Sequence, residues 1–305
     1  MYVQKRGKKI KMVTVFTPLY NRAYIVERLY TSLKNQTVKD FEWLVIDDGS
    51  TDNAQEKFDM WKAQDNDFEI RYIKCENGGK HRAINKGVPL AKGELFFIVD
   101  SDDCLPENSI KTIIEIENGI EDKSKFAGIA GIKRTFDNNL VGTTFKEKYV
   151  DASSLERDKF GISGDKSEVF YTDILKKYPF PEFEGEKFVT EDVVWSRIAA
   201  DGYKIRWTNE DIYICEYLDD GLTSKGREIY INSPLGYALY VKQIAKLKKM
   251  STREKINYYY YFYYDLKERF SLSEISKLLD ISMVLLGIKV TEMRLRQWLH
   301  NVLKR

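Results

Sequence analysis

Gly93-Glu-Leu-Phe-Phe-Ile-Val-Asp-Ser-Asp-Asp103 is the stretch that decides the fold. It starts at a turn residue, continues as the apolar run Leu95 to Val99, and ends in the carboxylates Asp100, Asp102 and Asp103. A run this short and apolar reads as a central strand buried on both faces. In open parallel sheets, ligands bind where such strands end. Three acids in four residues repel one another and resist burial unless a cation joins them. Magnesium and manganese take oxygen donors of this kind and bridge them to phosphate. The same acids could instead form a solvated turn capping a helix that begins near Pro106, because acidic side chains favour helix N-termini.

Outward from this stretch, strand and helix patterns alternate. Met12 to Thr17 is β-branched and apolar and reads as the first strand, stopped by Pro18. The loop Tyr20-Asn21-Arg22 follows, then Ile25, Leu29 and Leu33 at helical spacing. Phe41 to Ile46 is a second strand, running into Asp47-Asp48-Gly49-Ser50-Thr51-Asp52. Gly49 permits the turn, and Ser50, Thr51 or Asp52 can cap the next helix. Phe68 to Ile73 is a third strand, broken by Asn77-Gly78-Gly79, and Lys80-His81-Arg82 opens a helix to about Leu90. The alternation predicts an α/β fold with a doubly wound, parallel sheet. Beyond Asp103, Phe126 to Ile132 reads as a strand, Val169 to Leu175 as a helix, and Lys204 to Trp207 and Ile212 to Glu216 as closing strands. From about Ser233 the periodicity is helical, with a boundary near Asp219-Asp220-Gly221.

Composition narrows the function classes. The chain has 305 residues, 43% of them hydrophobic and 31% charged, which suits a globular protein of one or two domains. A net charge of +2 makes no global case for nucleic acid as a partner. Cys75, Cys104 and Cys215 lack metal or redox spacing and fit a reduced, cytosolic setting. Lys5, Arg6, Lys8, Lys9 and Lys11 make the start basic without an apolar run after them, so a secretory signal is not expected. The longest uncharged apolar run, Ile281 to Ile288, is too short to span a bilayer.

Two acidic clusters thus stand at strand ends, with the basic Lys80 to Arg82 between them in sequence. A parallel sheet can bring all three to one edge. Carboxylates, a metal and a cation describe a site for a diphosphate, and Tyr20 can stack on a base. His81 is a further candidate near the phosphates, whereas His300 reads as a surface residue.

Val13-Thr-Val-Phe-Thr-Pro-Leu-Tyr-Asn-Arg22, Leu44-Val-Ile-Asp-Asp-Gly-Ser-Thr-Asp52 and Asp100-Ser-Asp102 together resemble glycosyltransferase family 2. The likeness covers roughly the first two-thirds of the chain, and Asn85, Gly87, Ala91 and Gly93 fit the family's run into the acidic motif. The resemblance implies a GT-A fold and inverting transfer from a nucleotide sugar, usually a UDP-sugar. It implies a catalytic domain at 12–218, with a nucleotide-binding part (12–103) and an acceptor part (104–218), followed by a C-terminal helical region at 219–305. Pro18, Tyr20 and Asn21 match the loop at the nucleotide base, and Asp48 the carboxylate that recognises it. Asp100 and Ser101 match positions beside the donor, and Asp100, Asp102 and the additional Asp103 are the metal candidates, for Mn2+ or Mg2+. Where many members carry an arginine, this chain has Ile84, so the phosphate contact is expected from Lys80, His81 or Arg82.

Glu191-Asp192 resembles the family's downstream acidic pair, whose Asp is the usual catalytic base; Glu191 is the rival. Read from the residues alone, Thr190-Glu-Asp192 is an ordinary capped helix start. Glu182, Glu184 and Glu186 read as an acceptor-side lid or as a solvated loop, and Trp195 as core. In the C-terminal region, Tyr258 to Tyr264 covers every face of a helix, so part of it must be exposed or meet a partner. The last helix sets Leu295, Leu299 and Val302 on one face, with Trp298 and Leu303 adjoining, against Lys289, Arg294, Arg296, Lys304 and Arg305. That pattern fits a peripheral membrane contact and packing on the catalytic domain or on another subunit equally well. The expected function is metal-dependent transfer of a hexosyl or N-acetylhexosaminyl group from a UDP-sugar to a glycan or lipid-linked glycan in bacterial surface polysaccharide synthesis, in the cytoplasm or at the inner face of the membrane. The alternatives are a nucleotidyltransferase acting on sugar phosphates and a non-catalytic module that binds nucleotide sugars or glycans.

Overall fold

The computed structural model describes residues 13–221 and 223–303. The basic segment at 5–11, Lys304 and Arg305 lie outside them. The first half alternates as the sequence predicts: β1 (Val13–Leu19), α1 (Glu27–Lys34), β2 (Phe41–Asp47), α2 (Ala54–Lys62), β3 (Glu69–Lys74), α3 (Lys80–Leu90), β4 (Leu95–Ile98) and α4 (Ser109–Asn118). Then follow β5 (Phe126–Thr135), β6 (Leu140–Val141), β7 (Tyr149–Ala152), β8 (Lys166–Tyr171), α5 (Thr172–Leu175), α6 (Asp192–Ala200) and β9 (Lys204–Cys215). The last part is helical: α7 (Glu228–Ile231), α8 (Pro234–Leu247), α9 (Thr252–Leu266), α10 (Leu272–Leu278) and α11 (Met283–Leu303).

The chain divides into two compact units: residues up to Phe180 with Arg197–Tyr217, and Pro181–Ser196 with Leu218–Arg305. The division falls inside α6. In the first unit, the described strands form one nine-stranded sheet in the order β3-β2-β1-β4-β8-β5-β9-β7, with β6 against β5. β1, β2, β3 and β4 pair in parallel, as does β5 with β9, whereas β8 runs antiparallel to both β4 and β5. All seven residues of β2 are buried, as befits a strand covered on both faces. Trp43 packs there with Tyr30, Phe58 and Trp61, the ring centroids lying 4.4–6.1 Å apart.

Three local expectations are corrected. Pro18 does not stop the first strand but lies within it, paired with Ile46. Pairing of β1 with β4 ends at Phe16, so past that point no neighbour on that side asks for the missing N–H of Pro18. Val169 to Leu175 is not one helix. Val169, Phe170 and Tyr171 belong to β8, and only Thr172–Leu175 turns helical. The closing strands are one, β9, whose register against β5 slips between Ala130 and Ile132.

In the second unit, Ala238, Val241, Phe262, Leu266, Ile275 and Leu286 form a core of their own. Ser251 with Glu254 and Ser271 with Glu274 make reciprocal caps that start α9 and α10. Tyr259 and Tyr263 of the tyrosine run are buried, while Tyr261 and Tyr264 face outward. Trp195 is buried, as expected. Glu186 is not lid-like: it is buried, and its carboxylate accepts the Leu235 and Gly236 backbone N–H groups at 2.6 and 2.9 Å, tying the loop to the start of α8. Among the described residues, no helix is long and apolar enough to cross a membrane.

Candidate active site

The loops after β1 and β2 are stitched together. The Asn21 N–H donates to Ser50 Oγ (2.9 Å), and Asn21 Oδ1 accepts the Thr51 N–H (2.8 Å). Asn21 adopts a left-handed backbone, φ 51°, which asparagine tolerates better than most residues. Asp47 is fully buried; it accepts the Ser50 N–H at 2.7 Å and the Tyr72 hydroxyl. Its neighbour Asp48, also buried, accepts the Gly78 and Gly79 N–H groups at 2.7 Å each and Asn77 Nδ2 at 3.1 Å. Asp48 thereby fixes the turn that launches α3. Gly49 is required beside it: φ is +80°, and a Cβ would sit 2.9 Å from the Asn77 nitrogen. Tyr20 is half exposed and Pro18 half buried at the rim.

Lys80, the first residue of α3, reaches the end of β4, where Nζ lies 2.7 and 3.1 Å from the two Asp100 carboxylate oxygens. Arg82 folds back instead, donating to the Gly78 carbonyl at 3.0 Å. His81 and Ile84 are buried under the helix, and Asn85 brackets Phe180 through its backbone N–H and carbonyl at 2.8 and 2.9 Å.

The three acids of the turn part company. Asp103 points inward: Tyr213 Oη donates to it at 2.6 Å and the Glu216 N–H at 3.0 Å. The same hydroxyl accepts the Asp100 N–H at 3.0 Å, so Tyr213 ties the two ends of the turn. Asp100 and Asp102 remain partly exposed, and Ser101 between them is buried. Burial works against ionisation of Asp100, but Lys80, Lys133 and Arg22 outweigh it and hold the carboxyl below its ordinary range. Burial and the Asp100 charge raise Asp102. The same two causes push Asp103 up to about 7.

Three residues here carry no sequence signal. Lys133, on β5, has a side chain only 13% exposed; its Nζ lies 2.7 Å from Asp165 and 4.5 Å from the Tyr213 ring centroid, and its charge acts on Asp100. Tyr213 comes from β9. Arg28, on α1, donates to the Asp102 carbonyl at 2.9 Å and pairs with Glu216 at 2.7 Å. Each arrives from an element distant in sequence from the acidic turn, so only the strand order assembles them.

In the second unit, Asp192 is an exposed carboxylate at the start of α6, in the helix turn that also holds the partly buried Glu191. Its charge is felt by Tyr230, Tyr240 and Tyr258, which burial already keeps protonated. Gln243 holds the helix from α8 through the Val193 carbonyl and Ser196 Oγ, each at 2.7 Å.

Residues 14–122, which contain all the acids of the sheet edge, match the sequence profile of glycosyl transferase family 2. They form a glycosyl transferase family 2 domain. Glycosyltransferase GlyG of Streptococcus pneumoniae is 43% identical over 107 residues, 34% of this chain and 35% of that protein. The chain spans about a third or less of the length of the curated relatives it matches. The described residues have a GT-A-like fold, with C-terminal helices after the sheet. The structure of residues 1–349 of S. aureus TarS in complex with UDP-GlcNAc superposes with a TM-score of 0.61 at 19% identity, covering 88% of this chain and 84% of that one. A Pyrobaculum calidifontis mannosyltransferase in complex with GDP-Man and Mn2+ gives 0.54 at 16% identity, covering 94% and 82%.

Among the described residues, no three His, Cys, Asp or Glu side chains converge as a metal cage. The donor chemistry of the turn nevertheless fits a hard divalent ion. Asp100 and Asp102 are oxygen donors at the mouth of the sheet, and Mg2+-type sites use one or two carboxylates and complete their shell with substrate phosphates and water. Asp103, with both oxygens engaged on β9 and its following loop, stands behind them.

Proposed function

We propose that this protein transfers a sugar from a UDP-sugar to a hydroxyl of a glycan or lipid-linked glycan, with inversion at the anomeric carbon. The observation that carries the reading is the Asp100–Lys80 pair beside Asp102 at the end of a central strand, inside a family 2 domain. The TarS complexes with UDP and UDP-GlcNAc support a uridine nucleotide donor. The Mn2+ complex of the mannosyltransferase supports a divalent ion. Asp48 already accepts three N–H donors, and a carboxylate has about four lone-pair sites, which leaves one for a base N–H. The half-exposed Tyr20, with the partly buried Pro18 behind it, offers a surface for a base to pack on.

Asp100 and Asp102 would hold Mn2+ or Mg2+, which when bound neutralises charge on the departing diphosphate. Lys80 and Lys133 add positive charge on the same side. The acceptor oxygen attacks the anomeric carbon as the bond from that carbon to the diphosphate oxygen breaks. The hydroxyl proton passes to Asp192, and UDP leaves. A hydroxyl is too weak an acid to lose this proton unaided at neutral pH, so a carboxylate base is required. Asp192 is assigned that role on its resemblance to the family's downstream acidic pair, and its exposed place at the start of α6, where a carboxylate is favoured, supports it. Surface polysaccharide synthesis in bacteria is the setting we assign.

A screen of nucleotide sugars for Mn2+-dependent UDP release, run with and without glycan acceptors, tests the assignment. Turnover with a UDP-sugar is expected, and Asp192→Asn should lower it by about 10²–10⁴-fold while leaving UDP affinity intact. Release from no UDP-sugar, or full turnover by Asp192→Asn, contradicts it.

A further inference from the structure

α11 buries one face and leaves the other bare. Leu286 and Val290 enter the core of the second unit, 0% and 6% exposed. On the opposite side, Val284, Ile288, Leu295, Trp298, Leu299 and Val302 are 47–66% exposed. At about 100° per residue these six cover an arc of roughly 100°, wider than the seam of a two-stranded coil. Glu292 borders one edge of that arc, with Arg296 and Lys289 just beyond it, and Arg294 borders the other.

Charge decides what covers it. From Met283 to Arg305 the sequence has five basic residues and one acid, Glu292. That acid is already neutralised on its own helix, by Lys289 at 3.0 Å and Arg296 at 2.6 Å. A second copy of this helix would bring basic edge against basic edge with no free acid to meet it. An anionic bilayer supplies what the face lacks, apolar depth for the stripe and phosphates for the arginines. Trp298 suits the headgroup boundary, where an amphipathic ring is favoured.

We propose that the exposed face of α11 docks on an anionic lipid surface, lying in its plane. The proposal does not depend on the catalytic assignment. The full chain contains a convenient probe: Trp43, Trp61, Trp195 and Trp207 are 0–8% exposed, whereas Trp298 is 60% exposed. The test is sedimentation with phosphatidylcholine vesicles, with and without phosphatidylglycerol, alongside tryptophan quenching by brominated lipid. The chain should pellet with the anionic vesicles and far less with the neutral ones, and high salt should weaken binding. Quenching should disappear in Trp298→Phe. A Leu295→Glu/Leu299→Glu variant, altered only at exposed positions, should bind these vesicles roughly tenfold less or weaker still, with unchanged circular dichroism and UDP affinity. Failure to bind anionic vesicles overturns the proposal. So does a dimer in lipid-free solution that the double variant dissociates, which would make the face a contact between two copies.

Discussion

The three carboxylates of the turn after β4 are chemically identical and differently employed. Asp103 is 6% exposed and satisfied by Tyr213 and the Glu216 backbone, so its removal orphans the buried Tyr213 hydroxyl and the part-buried Glu216 N–H. Asp103→Ala should therefore cost about 1–3 kcal/mol and lower the melting temperature. Asp102→Ala, at a partly exposed carboxylate, should leave melting nearly unchanged and abolish metal-dependent UDP affinity. Thermal melts and UDP titrations of the two variants, run side by side, check this; the reverse pattern would exchange their roles. The cysteines allow a pH-based check of the same packing. Burial pushes the Cys104 and Cys215 thiols up to about 11 each, so their thiolates appear only as the pH approaches that value. At about pH 8 a thiol reagent should label Cys75, which is partly exposed, and reach the other two only on unfolding. Rapid labelling of all three in the folded chain would contradict the packing around the turn.

Among the elements, those that place the acids of the sheet edge were readable because their signals are local. Asp48-Gly49 and Asp100 to Asp103 follow directly on the apolar runs that make β2 and β4. α3 begins where Asn77-Gly78-Gly79 ends β3. What local signals could not supply was the antiparallel insertion. Val169 to Leu175 is apolar enough for either helix or strand, and its first residues became β8 only because β4 and β5 stand ready to pair with them. Without β8 there is no way to foresee that β5 and β9 deliver Lys133 and Tyr213 to the acidic turn. The contact between α3 and β1 is likewise non-local. A Cβ at Gly87 would lie 2.2 Å from the Phe16 ring, so this glycine sets how closely the helix rests on the strand. Gly87→Ala should destabilise the first unit by about 1–3 kcal/mol through overpacking. A denaturant titration measures it, and an unchanged midpoint would mean that the helix can shift without loss.

At the scale of the whole molecule, the chain joins a sheet unit that carries the acids, the lysines and the loops after β1 and β2 to a helical unit that carries Asp192 and the apolar face of α11. Sequence patterning anticipated both the helical character of the second unit and the amphipathic last helix. It left the occupant of that helix's apolar face open, because the pattern alone does not reveal which face is already buried. In the function we propose, the edge of the sheet binds a uridine diphosphate through a divalent ion. Calorimetric titration of the full chain with UDP, in Mn2+ and then in excess chelator, tests it most directly. Measurable UDP affinity in Mn2+, loss of most of it in chelator, and weaker binding of GDP and ADP are expected. Equal UDP affinity with and without the metal, or no preference for uridine, would contradict it.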